Sequence, residues 1–164
     1  AEKMNAYLDN HPPPSARRPG IPILVAGSPV APSEVRWLRL LEDAGLSVIA
    51  DATCTGDRAI ALTINPAAAE DPFEALGRAY FRRPACLFIR PNDEFYDYAA
   101  ELIETRGIRA VVWRSLRGCD IWGLEIQRAE RLLRRPLLSL DMSFGDADSM
   151  RIRTRIEAFA ESLR

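Results

Sequence analysis

Short apolar runs alternating with helix-length amphipathic stretches are the feature that most constrains how this chain can fold. Ile23-Leu24-Val25-Ala26 ends at Gly27 and reads as a buried strand. Leu46-Ser47-Val48-Ile49-Ala50 reads as a second strand, Ile108 to Trp113 as a third, and Pro136 to Leu140 as a fourth. Cys86 to Ile89 is a further short apolar segment, either a strand or a buried connection. Helical spacing lies between these runs. Val35, Leu38 and Leu41 follow Pro32-Ser33-Glu34, with Ser33 as the expected N-cap and Gly45 as the stop. Asp71-Pro72-Phe73-Glu74 has the form of a capping box, and Phe73, Leu76 and Tyr80 then recur along one helix. Asn92 is placed to cap a helix carrying Phe95, Ala99, Leu102 and Ile103, which Gly107 ends. A helix through Leu124, Leu132 and Leu133 follows the turn Ser115 to Asp120, and a last helix spans about Ser149 to Leu163.

Strands alternating with helices imply βαβ units with right-handed crossovers. The expected fold class is α/β, an about four-stranded, mostly parallel sheet with helices on both faces. This is a flavodoxin- or Rossmann-like three-layer arrangement. Residues 1–20 read as a linker and the end of a preceding helix. His11-Pro12-Pro13-Pro14 should be extended there, because proline fixes φ and lacks a donor. His11 is the single histidine, and in such a linker it reads as a solvated surface residue. Residues 21–164 then form one compact domain.

Charge and composition exclude several function classes. Net charge is -1 with a pI near 6.0, which argues against a nucleic-acid surface. Lys3 is the only lysine, so almost all the positive charge is arginine. No apolar run approaches the ~20 residues that span a bilayer, and the start lacks a signal-peptide pattern, so the cytoplasm is the expected location. Cys54, Cys86 and Cys119 are odd in number and widely spaced, which argues against a disulfide framework. GxGxxG, GxxxxGK[ST], HExxH and a Ser–His–Asp set are all missing from the sequence.

In an open α/β sheet, ligands bind beyond the carboxyl ends of the strands. Those ends are Gly27-Ser28-Pro29, Asp51 to Arg58, Arg114 to Asp120, and Asp141-Met142-Ser143. Cys54 and Cys119 fall in these loops, whereas Cys86 lies in an apolar run and reads as a packing residue. Each loop also has a plain structural reading. Thr53 and Thr55 can satisfy backbone donors, Cys119 can be a small filler, Asp120 an N-cap, and Arg151, Arg153 and Arg155 a solvated helix face.

Several segments together resemble the 2-hydroxyacyl-CoA dehydratase and benzoyl-CoA reductase family. They are Asp51-Ala52-Thr53-Cys54-Thr55-Gly56-Asp57-Arg58, Asp71-Pro72-Phe73-Glu74-Ala75-Leu76-Gly77-Arg78-Ala79-Tyr80, Arg117-Gly118-Cys119-Asp120, and Arg153-Thr154-Arg155-Ile156-Glu157-Ala158-Phe159-Ala160-Glu161. They occur in the family's order. The turn before Cys119 departs from the pattern, with Arg117-Gly118 where an aromatic residue is usual.

The resemblance implies the C-terminal domain of a catalytic subunit in a heterodimeric enzyme, similar to the D-component of 2-hydroxyglutaryl-CoA dehydratase. It implies a second homologous subunit, an ATP-dependent activator protein and an acyl-CoA thioester substrate. An electron from the activator would reach a [4Fe–4S] cluster and then the thioester, giving a ketyl radical anion. Thiolates suit such a cluster, whose potential is set by hydrogen bonds and exposure. The resemblance makes Cys119 the expected metal ligand, with Cys54 a second cofactor-binding candidate. It also implies that the remaining ligands come from an upstream domain, so this domain alone would be inactive. Arg58, Arg114 and Arg117 are the expected substrate-binding residues, since arginine suits phosphate. The alternative is a non-catalytic flavodoxin-like module that binds a partner or CoA.

Overall fold

The computed structural model describes residue 10 and residues 19–60, 71–82, 85–146 and 149–164. His11 and nearly all of the 1–20 linker lie outside the described residues. The strands are β1 (Ile21–Gly27), β2 (Leu46–Thr53), β3 (Ala110–Leu116) and β4 (Leu137–Met142). All pair in parallel, in the order β2-β1-β3-β4. The expected α/β class and four-stranded parallel sheet are both observed.

Residues alternate sides along each strand, so each strand feeds two cores. Ile23, Val25, Ala110, Val112, Leu138 and Leu140 meet helix α1 (Arg36–Asp43) through Trp37, Leu40 and Leu41. The same core takes Ile152, Ile156 and Ala160 from α7 (Met150–Ser162). Leu24, Ala26, Val111 and Trp113 point the other way. They meet α4 (Asp93–Thr105), α5 (Asp120–Leu124) and α6 (Ile126–Leu133). Between β2 and α4 stand α2 (Asp57–Ile60) and α3 (Pro72–Arg82).

An aromatic group anchors the second core. Phe95 stands edge-on to Tyr96, Trp113 and Trp122, at centroid distances of 5.4, 6.0 and 5.6 Å. The Trp113 indole N–H donates to the Trp122 carbonyl at 2.9 Å, which fixes α5 to β3. Such offset geometries add stabilisation beyond their buried area.

Several local expectations change. Ser33 is not the cap of the first helix. Pro32–Glu34 forms a 3-10 turn in which the Glu34 carboxylate accepts from the Ala31 amide at 3.2 Å, and α1 begins only at Arg36. The segment from Asp51 is not all loop, because β2 continues through Thr53 and Asp57 opens α2. Asn92 occupies the N-cap position of α4, but its Oδ1 accepts from Arg128 at 2.7 Å rather than from the helix backbone. The helix after Cys119 divides at Glu125 into α5 and α6. Cys86 to Ile89 is a turn, with Leu87 buried and Phe88 and Ile89 exposed. On α3, Phe73 and Tyr80 are exposed as well.

The division at Glu125 has a use. Its carboxylate accepts from the Tyr96 hydroxyl at 2.6 Å and from Arg90 at 2.7 Å, tying the α5–α6 junction to α4. Burial works against the charged form. The bonds from Tyr96 and Arg90 outweigh it and hold the Glu125 carboxyl below its usual range. The stabilisation is therefore fully present above the ordinary glutamate value and is lost as pH falls through the lowered one. Glu125→Gln should destabilise the domain by about 1.5–3 kcal/mol near neutral pH, the worth of bonds to a charged group. In urea titrations that deficit should shrink on acidification below about pH 4.3, the ordinary glutamate value. A deficit that stays constant with pH would contradict this role.

Candidate functional site

The strand order reverses between β1 and β3, where open α/β sheets normally hold a ligand. Here that crevice is filled by the protein itself. Arg114 follows Ala110 and Val112 on the α1 face of β3 and is fully buried. Its guanidinium meets the Glu34 carboxylate at 2.7 Å, with the two side chains 0% and 3% exposed. It also donates to the carbonyls of Ser28, at 3.3 Å, and Pro29. The Ser28 hydroxyl accepts from the Leu116 amide at 3.1 Å. Gly27, with φ +133°, permits this closeness, because a Cβ there would overlap the Arg114 carbonyl.

The open site lies one strand over. On the α5–α6 face, the large side chains of Val111 and Trp113 give way to Ser115 toward the end of β3, and Ser139 and Asp141 stand beside it on β4. Packing ends there, and a cavity of about 260 Å³ opens against Gly118, Cys119 and Asp120. Cys119 occupies the N-cap position of α5, so the cap is Cys119 and Asp120 is the first helical residue. Leu116 and Cys119 close the turn through a 2.8 Å backbone bond, with Gly118 between them at φ +81°.

The three thiols are free and half-buried. Cys54 and Cys119 both pack against the aromatic core. Burial pushes the Cys54 thiol up. The Arg58 guanidinium opposes that, and the Cys86 and Cys119 thiols reinforce the rise. Cys86 is half-buried beside a turn rather than in a strand. The signal available in the sequence was Arg58, four residues after Cys54 on the strand-to-helix turn. Thr55 fits its structural reading, its hydroxyl accepting from the Val30 amide at 3.0 Å.

The arginines divide by burial. Arg58 is 5% exposed and Arg114 is fully buried, so both guanidiniums are spent inside the fold. Arg117 is exposed, between the lining residues Leu116 and Gly118, and lies 3.5 Å from Asp141 and 3.6 Å from Asp146. The bond from the Ser143 amide, aided by Arg117 and Arg151, holds the Asp146 carboxyl below its usual range. Exposed pairs of this kind contribute little and exchange readily. Among the described residues, no three His, Cys, Asp or Glu side chains are grouped closely enough to hold a metal ion, and no helix is long and apolar enough to cross a membrane.

Residues 1–163 match the family model for 2-hydroxyglutaryl-CoA dehydratase, D-component. The chain belongs to this family. No curated protein matches it. Membership makes the chain a component of a multi-subunit 2-hydroxyacyl-CoA dehydratase.

The dehydratase component relies on the Arg114–Glu34 pair to close the switch point. Removing one member of such a pair leaves a buried charge uncompensated, at a cost of about 3–5 kcal/mol. Glu34→Ala should lower stability by that amount in chemical denaturation. A change below about 1 kcal/mol, the worth of an exposed ion pair, would mean that the pair does not organise the crevice.

Proposed function

We propose that this component contributes Cys119, with Cys54 as a second thiol, to a [4Fe–4S] cluster that serves an acyl-CoA thioester. The observation that carries this reading is the place of Cys119. It is half-buried on the wall of the open cavity at the carboxyl ends of β3 and β4, while the usual crevice is blocked by Arg114 and Glu34. The donor chemistry fits, since soft thiolates select iron–sulfur clusters. The donor count does not close among the described residues, and on this reading other polypeptide would supply the remaining ligands. When bound, the cluster would provide low-potential electron transfer to the thioester, fed by an ATP-dependent activator, with a second homologous subunit beside it.

This chain's own residues would do the rest. Arg117, exposed and in exchangeable ion pairs, is suited to take a CoA phosphate. Arg58 and Arg114, expected from their place near the strand ends to contact substrate, are better suited to positioning, because their donors already serve internal acceptors. Ser115, Ser139 and Asp141 give the cavity a polar floor for the acyl end. The same site could serve dehydration of a 2-hydroxyacyl-CoA or reduction of an aromatic acyl-CoA, and family membership favours the first. The open ligand count favours a second reading, a CoA- or partner-binding module without iron.

Cys119→Ala in the assembled anaerobic enzyme distinguishes the two. Iron content should fall, with activity down by at least about tenfold, since even outer-shell partners of metal ligands cost about 10–100-fold. Unchanged iron would remove Cys119 from the ligand set.

A further inference from the structure

We infer that Arg58 is a positioning residue that gathers the three thiol-bearing segments into one group and fixes the Cys54 sulfur by a charge-assisted hydrogen bond. The inference deepens the cluster reading and rests on it for its purpose, but its geometry stands independently. Arg58 Nη2 donates to Cys54 Sγ at 2.9 Å. Nε donates to the Thr53 carbonyl at 3.4 Å, at the end of β2. Nη1 donates to the Ala85 carbonyl, the residue before Cys86. The guanidinium carbon lies 5.2 Å from the Phe95 ring centroid and 5.9 Å from that of Trp122, in the helix that Cys119 opens. One side chain therefore touches the Cys54 thiol, the backbone leading to Cys86, and the helix starting at Cys119.

The surroundings of Arg58 are the second argument. A guanidinium stays protonated in proteins, and this one is 5% exposed. All three of its nitrogens donate inside the fold, to Cys54 Sγ and to the Thr53 and Ala85 carbonyls, and a planar fork stacked on aromatic rings supplies what a lysine ammonium could not.

The test is alkylation of the 164-residue chain by iodoacetamide, resolved for each cysteine by peptide mass spectrometry across a pH series. It compares the native chain with Arg58→Met and Arg58→Lys. Thiolate is the reacting form, so the plateau rate at high pH reports access to each sulfur. With Arg58→Met, the plateau rates of Cys54, Cys86 and Cys119 should each rise severalfold as their segments separate. Arg58→Lys keeps the charge but not the planar fork, and should leave the rates of Cys86 and Cys119 raised.

Unchanged plateau rates in Arg58→Met would overturn the inference, leaving Arg58 as core filling. So would native rates at all three cysteines in Arg58→Lys. If Arg58→Met fails to fold by circular dichroism, Arg58→Lys decides: native-like plateaus at Cys86 and Cys119 would overturn it. None of these readouts needs iron, so the cluster reading can fail while this one holds.

Discussion

The buried pair between Arg114 and Glu34 is the contact on which the layout of the functional end depends. Its geometry follows from strand alternation, because Arg114 continues the Ala110–Val112 side of β3 beyond the point where apolar partners run out. A charge carried into that interior needs a partner, and Glu34 provides it from the turn before α1. The Ser28 and Pro29 carbonyls take the remaining reach of the guanidinium, drawing the β1 loop over β3. The crevice that this fold commonly offers to a ligand is thereby occupied by protein. Space for a ligand is displaced to the opposite face of β3, where Ser115 replaces a large side chain and Cys119 lies on the cavity wall.

That displacement organises the thiol end. The aromatic group of Phe95, Trp113 and Trp122 forms a firm floor under it. Arg58 lies over two of those rings and binds the sulfur of Cys54, so the segments carrying Cys54, Cys86 and Cys119 share one support. The Glu125 network holds the far end of α5 against α4. These are independent contacts: a charge pair behind β3, a cation over the rings near the start of α5, and a carboxylate bridge at the far end of α5. A dehydratase component built this way holds its thiols on a rigid base.

Much of the fold was legible in the sequence because apolar runs and helical periodicity are properties of single segments. The strands at Ile23, Val48, Val111 and Leu138 and the buried face of α4 could be read that way. Boundaries set by tertiary contacts could not. Ser33 looked like a cap, but the Glu34 carboxylate reaches back to Ala31 and delays the helix. Asn92 looked like a cap, but Arg128, thirty-six residues away, claims its side chain. The site was legible in part. Cys54 and Cys119 were placed at strand ends by topology, and motif order named the family. The burial of Arg58 and Arg114 was not visible, since only the packed core separates a buried guanidinium from a phosphate-binding one. The segment from Cys86 to Ile89 was harder to read, because its apolar residues Leu87 and Phe88 sit in a turn, one buried and one exposed.

The central proposal is that Cys119, on the cavity wall, ligates a [4Fe–4S] cluster in the assembled enzyme. Protection of Cys119 tests it most directly, by comparing anaerobic alkylation of that residue in iron-reconstituted and chelator-stripped enzyme. The account predicts that Cys119 is blocked in the reconstituted enzyme and reactive again after iron is removed. Equal reactivity in both states would contradict it.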